Sequence, residues 1–118
     1  MTYPNPNPSS RPWKPGIALE RLRGDERLLR ELIAFFLEDF RPLLAELKST
    51  LADGDLAGAE RAAHSLKGLS ATFEAEQAVE GARRIEKACG DHDLAQAREV
   101  VSEFEAALRL LGEDMQNY

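Results

Sequence analysis

Leu29, Ile33, Phe36, Phe40, Leu44, Leu47 and Leu51 follow one another at steps of three and four through GDERLLRELIAFFLEDFRPLLAELKSTLADGD, and no other feature restricts the fold as much. At 3.6 residues per turn this spacing lines large apolar side chains along one side of a long helix, which then needs other apolar faces to cover it. Asp25 is the expected N-cap and Gly54 the expected stop. Pro42 falls inside the run, where a missing N–H and a clash with the preceding turn cost about 3 kcal/mol. A kink near residues 38 to 42 is therefore expected, unless the helix breaks there.

The covering faces are present further along. Asp55 is the expected N-cap of a helix carrying Leu56, Ala59, Ala63, Leu66, Ser70 and Phe73 on one side. Periodicity alone would let one helix run from 55 to 89, but so long an element could not bury both of its apolar stripes. A turn is expected around residues 73 to 76, followed by a helix with Val79, Ala82, Ile85 and Cys89 inward. Gly90 closes that helix, DHD makes the turn with Asp93 as N-cap, and Leu94, Ala97, Val101, Phe104, Leu108 and Leu111 mark the last helix. With GIALERL as a short helix ahead of them, the expectation is an all-α fold, an antiparallel four-helix bundle with a short additional N-terminal helix. A composition of 43% apolar and 31% charged residues suits a helical domain of this kind, and 118 residues supply one core.

Five of the six prolines lie in MTYPNPNPSSRPWKP. Each removes a backbone donor and biases its predecessor away from helix, so residues 1–15 are expected as a flexible tail or linker, 16–112 as the bundle and 113–118 as a C-terminal tail. Trp13 has two readings, a side chain docked on the domain or a partner, and part of a disordered segment.

Several function classes fall away on charge and composition. A net charge of −6 without a basic cluster speaks against nucleic acid and anionic membranes, and leaves proteins as partners. Cys89 is the only cysteine, so no internal disulfide forms, and it reads as a small core residue. No apolar run approaches the roughly 20 residues that span a bilayer, and no secretory signal is visible, so a cytoplasmic location is expected; the chain is also expected to be a monomer. There is no glycine-rich phosphate loop and no serine or cysteine nucleophile with a recognisable base, so neither autonomous catalysis nor a cofactor is expected.

The polar face of the second helix, AERAAHSLKGLSATFEA, is the part that carries chemistry. At about 100° per residue His64 lies near 160° from Leu66, away from the core stripe. Gly68 lies about 40° from His64, with Lys67 and Arg61 about 60° to either side and Ala71 one turn beyond Lys67. A mid-helix glycine costs about 0.5–1 kcal/mol relative to alanine, which suggests close approach of something to the backbone; the plainer reading is that Gly68 is tolerated. If the turn is centred near Ala75, His64 and Glu86 stand eleven positions to either side of it, at one height on antiparallel helices. A carboxylate accepting from Nδ1 would leave the Nε2 lone pair free as a nucleophile. A lone exposed histidine is nonetheless most often merely solvated. Glu60 and His64 make only half a metal site, and Asp91 and Asp93 beside His92 are explained by turn and cap bonds.

AAHSLKGLSATFEA resembles the phosphorylation motif of histidine phosphotransfer domains, the four-helix carriers of multistep two-component signalling. The family pattern is approximately A-H-x-L-K-G-x-[SA]-x-x-[apolar]-G, and Ala63, His64, Leu66, Lys67, Gly68, Ser70 and Phe73 fall on it. GDERLLRELIAFFLEDF is similar to the family's first long helix and ARRIEKACGDHDLAQA to its A-x-x-[apolar]-E and following turn, so the likeness spans about residues 16–112. The family's usual glycine after the apolar position is here Glu74. The resemblance implies that His64 is phosphorylated on Nε2, that Lys67 stabilises the phosphoryl group, that Gly68 leaves room for a partner and that Glu86 orients the imidazole. It further implies a phosphocarrier, not an enzyme, that exchanges phosphoryl groups with receiver domains downstream of a sensor or hybrid histidine kinase, the receiver supplying Mg²⁺ and most catalytic groups. Arg61, His64, Lys67, Gly68, Ala71 and Thr72 would form the docking face. Two other readings stand beside it: a non-phosphorylated helical adaptor using the same face, and a Zn²⁺-binding bundle.

Overall fold

The computed structural model describes residues 11–118. They form α1 (Pro15–Arg21), α2 (Glu26–Ala52), α3 (Leu56–Ala71), α4 (Glu76–Gly90) and α5 (Leu94–Gln116). The four long helices make the antiparallel bundle, and α1 is the short additional helix before it. Every residue of the α2 stripe, from Leu29 to Leu51, is buried as its spacing requires. In α3 the inward residues are Ala59, Ala63, Leu66 and Ser70, joined by Gly58 and Ala62. Leu56, Val79, Leu94 and Val101 are only half-buried. Ala78 and Ala88 of α4 and Val100 of α5 go inward as well, so the buried stripes are wider than a strict three-four alternation.

Asp25, Asp55 and Asp93 cap their helices as expected, accepting from the N–H groups of Leu28, Gly58 and Gln96 at 2.9–3.0 Å. The helix ends were less legible. Gly54 takes the left-handed conformation after α2 (φ +74°), but Arg23, Glu74 and His92 take it after α1, α3 and α4, at φ +55° to +58°. At each of these ends a pair of backbone bonds closes a Schellman motif: after α3, Ala75 N–H reaches Ser70 O and Glu74 N–H reaches Ala71 O. Gly90 is the last residue of α4, and His92 takes the left-handed place beyond it.

α2 does not break at Pro42. That residue is exposed on the face opposite the core stripe, where solvent satisfies the Glu38 carbonyl that loses its partner.

The termini depart from the expected boundaries. Residues 1–10 of the expected tail lie outside the described residues, but from Arg11 onward the chain is laid across the end of the bundle. Trp13 is fully buried, its indole N–H donates to Asp114 Oδ2 at 2.7 Å, and its ring meets Phe73 and Tyr118 edge-on. Lys14 N–H donates to the Phe73 carbonyl. The C-terminal tail expected over 113–118 is instead the last turn of α5, with Met115 buried, because this docked segment gives that turn an apolar surface to cover. No helix among the described residues is long and apolar enough to cross a membrane.

Candidate functional site

The α3–α4 hairpin builds the site. Its turn, residues 72–75, fixes the register of the two helices, and His64 of α3 meets Glu86 of α4 at the same height. Packing dictates which way they face: Ala63 and Leu66 go to the core on α3, Ile85 and Cys89 on α4, and this turns His64 outward and Glu86 toward α3. The His64 side chain is 71% exposed, whereas that of Glu86 is 17% exposed.

His64 Nδ1 lies 2.9 Å from Glu86 Oε2. Lys67 Nζ lies 2.6 Å from Oε1 of the same carboxylate, an ion-pair contact whose alignment falls short of a directed hydrogen bond. Burial works to raise the Glu86 pKa, but the Lys67 ammonium and the His64 imidazole outweigh it and hold the carboxyl below the usual range. An ionised carboxylate only accepts, so Nδ1 carries the proton. In the neutral ring Nε2 then keeps its lone pair.

The helix face around His64 is open. A Cβ built on Gly68 would meet nothing within 4 Å, so the chain's own packing does not call for glycine there. Ala71 and Thr72 are exposed further along, Lys67 is partly covered, and Arg61 lines a shallow hollow with Glu60, Ser65, His64 and Glu86. The structure thus brings His64, Lys67 and Glu86 into direct contact, and sets Arg61, Gly68, Ala71 and Thr72 on the same exposed face.

The contacts of two residues, Lys67 and Arg21, were not read from the sequence. Lys67 is held by Glu86, a pairing that i,i+3 and i,i+4 spacing within one helix does not reveal. Arg21, at the end of α1, donates to the Ala71 carbonyl at 3.3 Å and pairs with Glu74. These partners are 50 or more positions apart, and nothing local to RLRGD signals them.

No group of three or more His, Cys, Asp or Glu among the described residues is placed to hold a metal ion. A family model described as the Hpt domain matches residues 31–116. Comparison with curated proteins found no match, and neither did comparison with solved structures.

Proposed function

Since the chain belongs to the Hpt domain family, whose members are phosphocarriers of histidine phosphotransfer in phosphorelays, we propose that His64 is its phosphorylated residue and Nε2 the atom that carries the group. The observation that supports this most is the 2.9 Å contact between His64 Nδ1 and an ionised Glu86, which places the hydrogen of the neutral ring on Nδ1 and its lone pair on Nε2 of an exposed side chain.

In the proposed step the Nε2 lone pair attacks the phosphorus of an aspartyl phosphate on a receiver domain. The N–P bond forms as the P–O bond to the receiver's carboxylate breaks, and the electron pair leaves with that carboxylate. No proton has to move: Nδ1 keeps its hydrogen, and the positive charge gained by the ring lies against Glu86. The transition state is loose, so in-line positioning and charge neutralisation are its main needs. Lys67 is within reach of that charge once it leaves Glu86, and the bare backbone at Gly68 admits the partner. The receiver supplies Mg²⁺ and most catalytic groups. The reverse reaction passes the group to a second receiver's aspartate, with a sensor or hybrid histidine kinase as the ultimate donor. Arg61, Lys67, Gly68, Ala71 and Thr72 surround His64 in the docking face.

Incubation with a receiver domain charged by acetyl phosphate tests the reading. A label on this chain that withstands base, is lost in acid and is absent from His64→Gln is expected. Label retained by His64→Gln would move the site elsewhere, and binding without any label would favour the adaptor.

A further inference from the structure

Two turns beyond His64 the docking face ends in a charge pair that the phosphotransfer step does not use. Ala71 follows His64 by two helical turns on nearly the same side of α3, about 10 Å along the axis. Its carbonyl accepts from Arg21 Nη1, and Arg21 Nη2 pairs with Glu74 three residues further on. A stable interface of about 800 Å² per partner, taken as a disc centred on His64, reaches out roughly 16 Å. Arg21, held on Ala71, and Glu74, just beyond it, therefore lie at its edge.

Glu74 sits in the left-handed position that closes α3, where glycine fits best. Its side chain adds a negative charge to the face that receives the partner. On the reading above, that partner carries an aspartyl phosphate and a Mg²⁺ site, and a pocket holding Mg²⁺ is lined by carboxylates. Like charges across an interface slow association and weaken it. Arg21 comes from α1, which precedes the matched family region, and neutralises Glu74 where it stands. The other charges lining the hollow between Arg21 and α4 are matched too, Glu76 by Lys14 and Glu80 by Arg83.

We infer that Arg21 and Glu74 form a specificity-determining pair of the docking face, in which Arg21 cancels a carboxylate that would otherwise repel an acidic receiver domain. The inference rests on the phosphotransfer reading for the partner's class. It assigns Arg21 no part in the chemistry at His64, and it predicts effects whose signs oppose one another.

The test uses the full chain and an acetyl-phosphate-charged receiver domain that binds it, reading KM and kcat of transfer and the calorimetric Kd for the uncharged receiver. Arg21→Gln uncovers the carboxylate and is expected to raise KM and Kd roughly three- to tenfold with kcat unchanged, the effect shrinking as salt is added. Glu74→Gln leaves Arg21 unopposed and is expected to lower both. The double variant returns to the wild-type values, and Arg21→Lys stays near them. If Arg21→Gln leaves KM and Kd unchanged, or if Glu74→Gln weakens binding as Arg21→Gln does, the pair is structural and the inference falls. A receiver that binds in the expected order yet leaves no label on His64 overturns the carrier reading and leaves this one standing.

Discussion

Glu86 Oε2 stands 2.9 Å from His64 Nδ1 while Oε1 of the same carboxylate stands 2.6 Å from Lys67 Nζ, so one buried-side anion orders both groups of the site. Removing it in Glu86→Ala is expected to slow phosphorylation of His64 roughly tenfold, the equivalent of losing a charge-assisted bond worth about 1.5 kcal/mol. Glu86→Gln keeps an acceptor for Nδ1–H and should lose less. Single-turnover transfer with each variant checks the order, and equal rates in all three proteins would remove Glu86 from the site.

The same carboxylate makes a pH prediction. Burial alone would raise its pKa, but Lys67 and His64 bring the folded-state value below the ordinary 4.5. Stability from these contacts is then fully present above pH 4.5 and fades as the pH falls through the lower folded value, where the carboxylate protonates. Urea denaturation of wild type and Glu86→Gln should therefore show a stability gap above pH 4.5 that narrows as the pH falls below it. A gap that widens below pH 4.5 contradicts the depressed pKa.

Trp13, the chain's only tryptophan, donates to Asp114 from a fully buried position. Trp13→Ala is expected to cost about 3–5 kcal/mol, as large aromatic truncations in cores do. Asp114→Ala leaves the indole N–H without a partner and is expected to cost about 1–3 kcal/mol, with a red shift of the emission. Chemical denaturation followed by fluorescence measures both. Little change in either variant would mean that the segment from Arg11 to Lys14 is not integral to the bundle.

The bundle was legible because its code is local. The α2 stripe and the aspartate caps each depend on residues within a turn or two, and the His64–Glu86 register followed from counting outward from the turn. What escaped depends on long-range partners. Nothing in RPWKP shows that Asp114 and Phe73 wait for Trp13, and prolines argue for a tail as readily as for a strap. The left-handed residues that close three of the helices escaped for a different reason: they are Arg23, Glu74 and His92 and not glycine, and the backbone bonds that hold them depend on no side chain the sequence would mark.

That misfit is itself testable at His92, an exposed residue at φ +57° outside the proposed docking face. His92→Gly removes the Cβ clash of the left-handed conformation and is expected to stabilise the fold by about 1 kcal/mol. His92→Val, β-branched at the same φ, is expected to destabilise it. Thermal melts of the two variants should move in opposite directions, and parallel shifts would mean that the α4–α5 turn is not held left-handed in solution.

Gly68 and Gly81 are both mid-helix glycines, and their surroundings predict opposite behaviour. A Cβ on Gly81 would come within 2.8 Å of Phe104 Cδ1, so Gly81→Ala forces α4 and α5 apart or displaces a core ring, at a cost of about 1–3 kcal/mol. A Cβ on Gly68 meets nothing within 4 Å, so Gly68→Ala collects the helix-propensity gain of about 0.5–1 kcal/mol without a clash. If the bare backbone at 68 serves the partner, the more stable Gly68 variant is the one that transfers poorly. Gly68→Gln, with a longer side chain beside His64, should then be worse than alanine while remaining folded. Melting temperature and receiver-to-His64 transfer rate, measured on the same samples, decide it. A Gly68→Ala protein that melts higher and transfers as fast as wild type would show that the glycine keeps no space for a visiting domain.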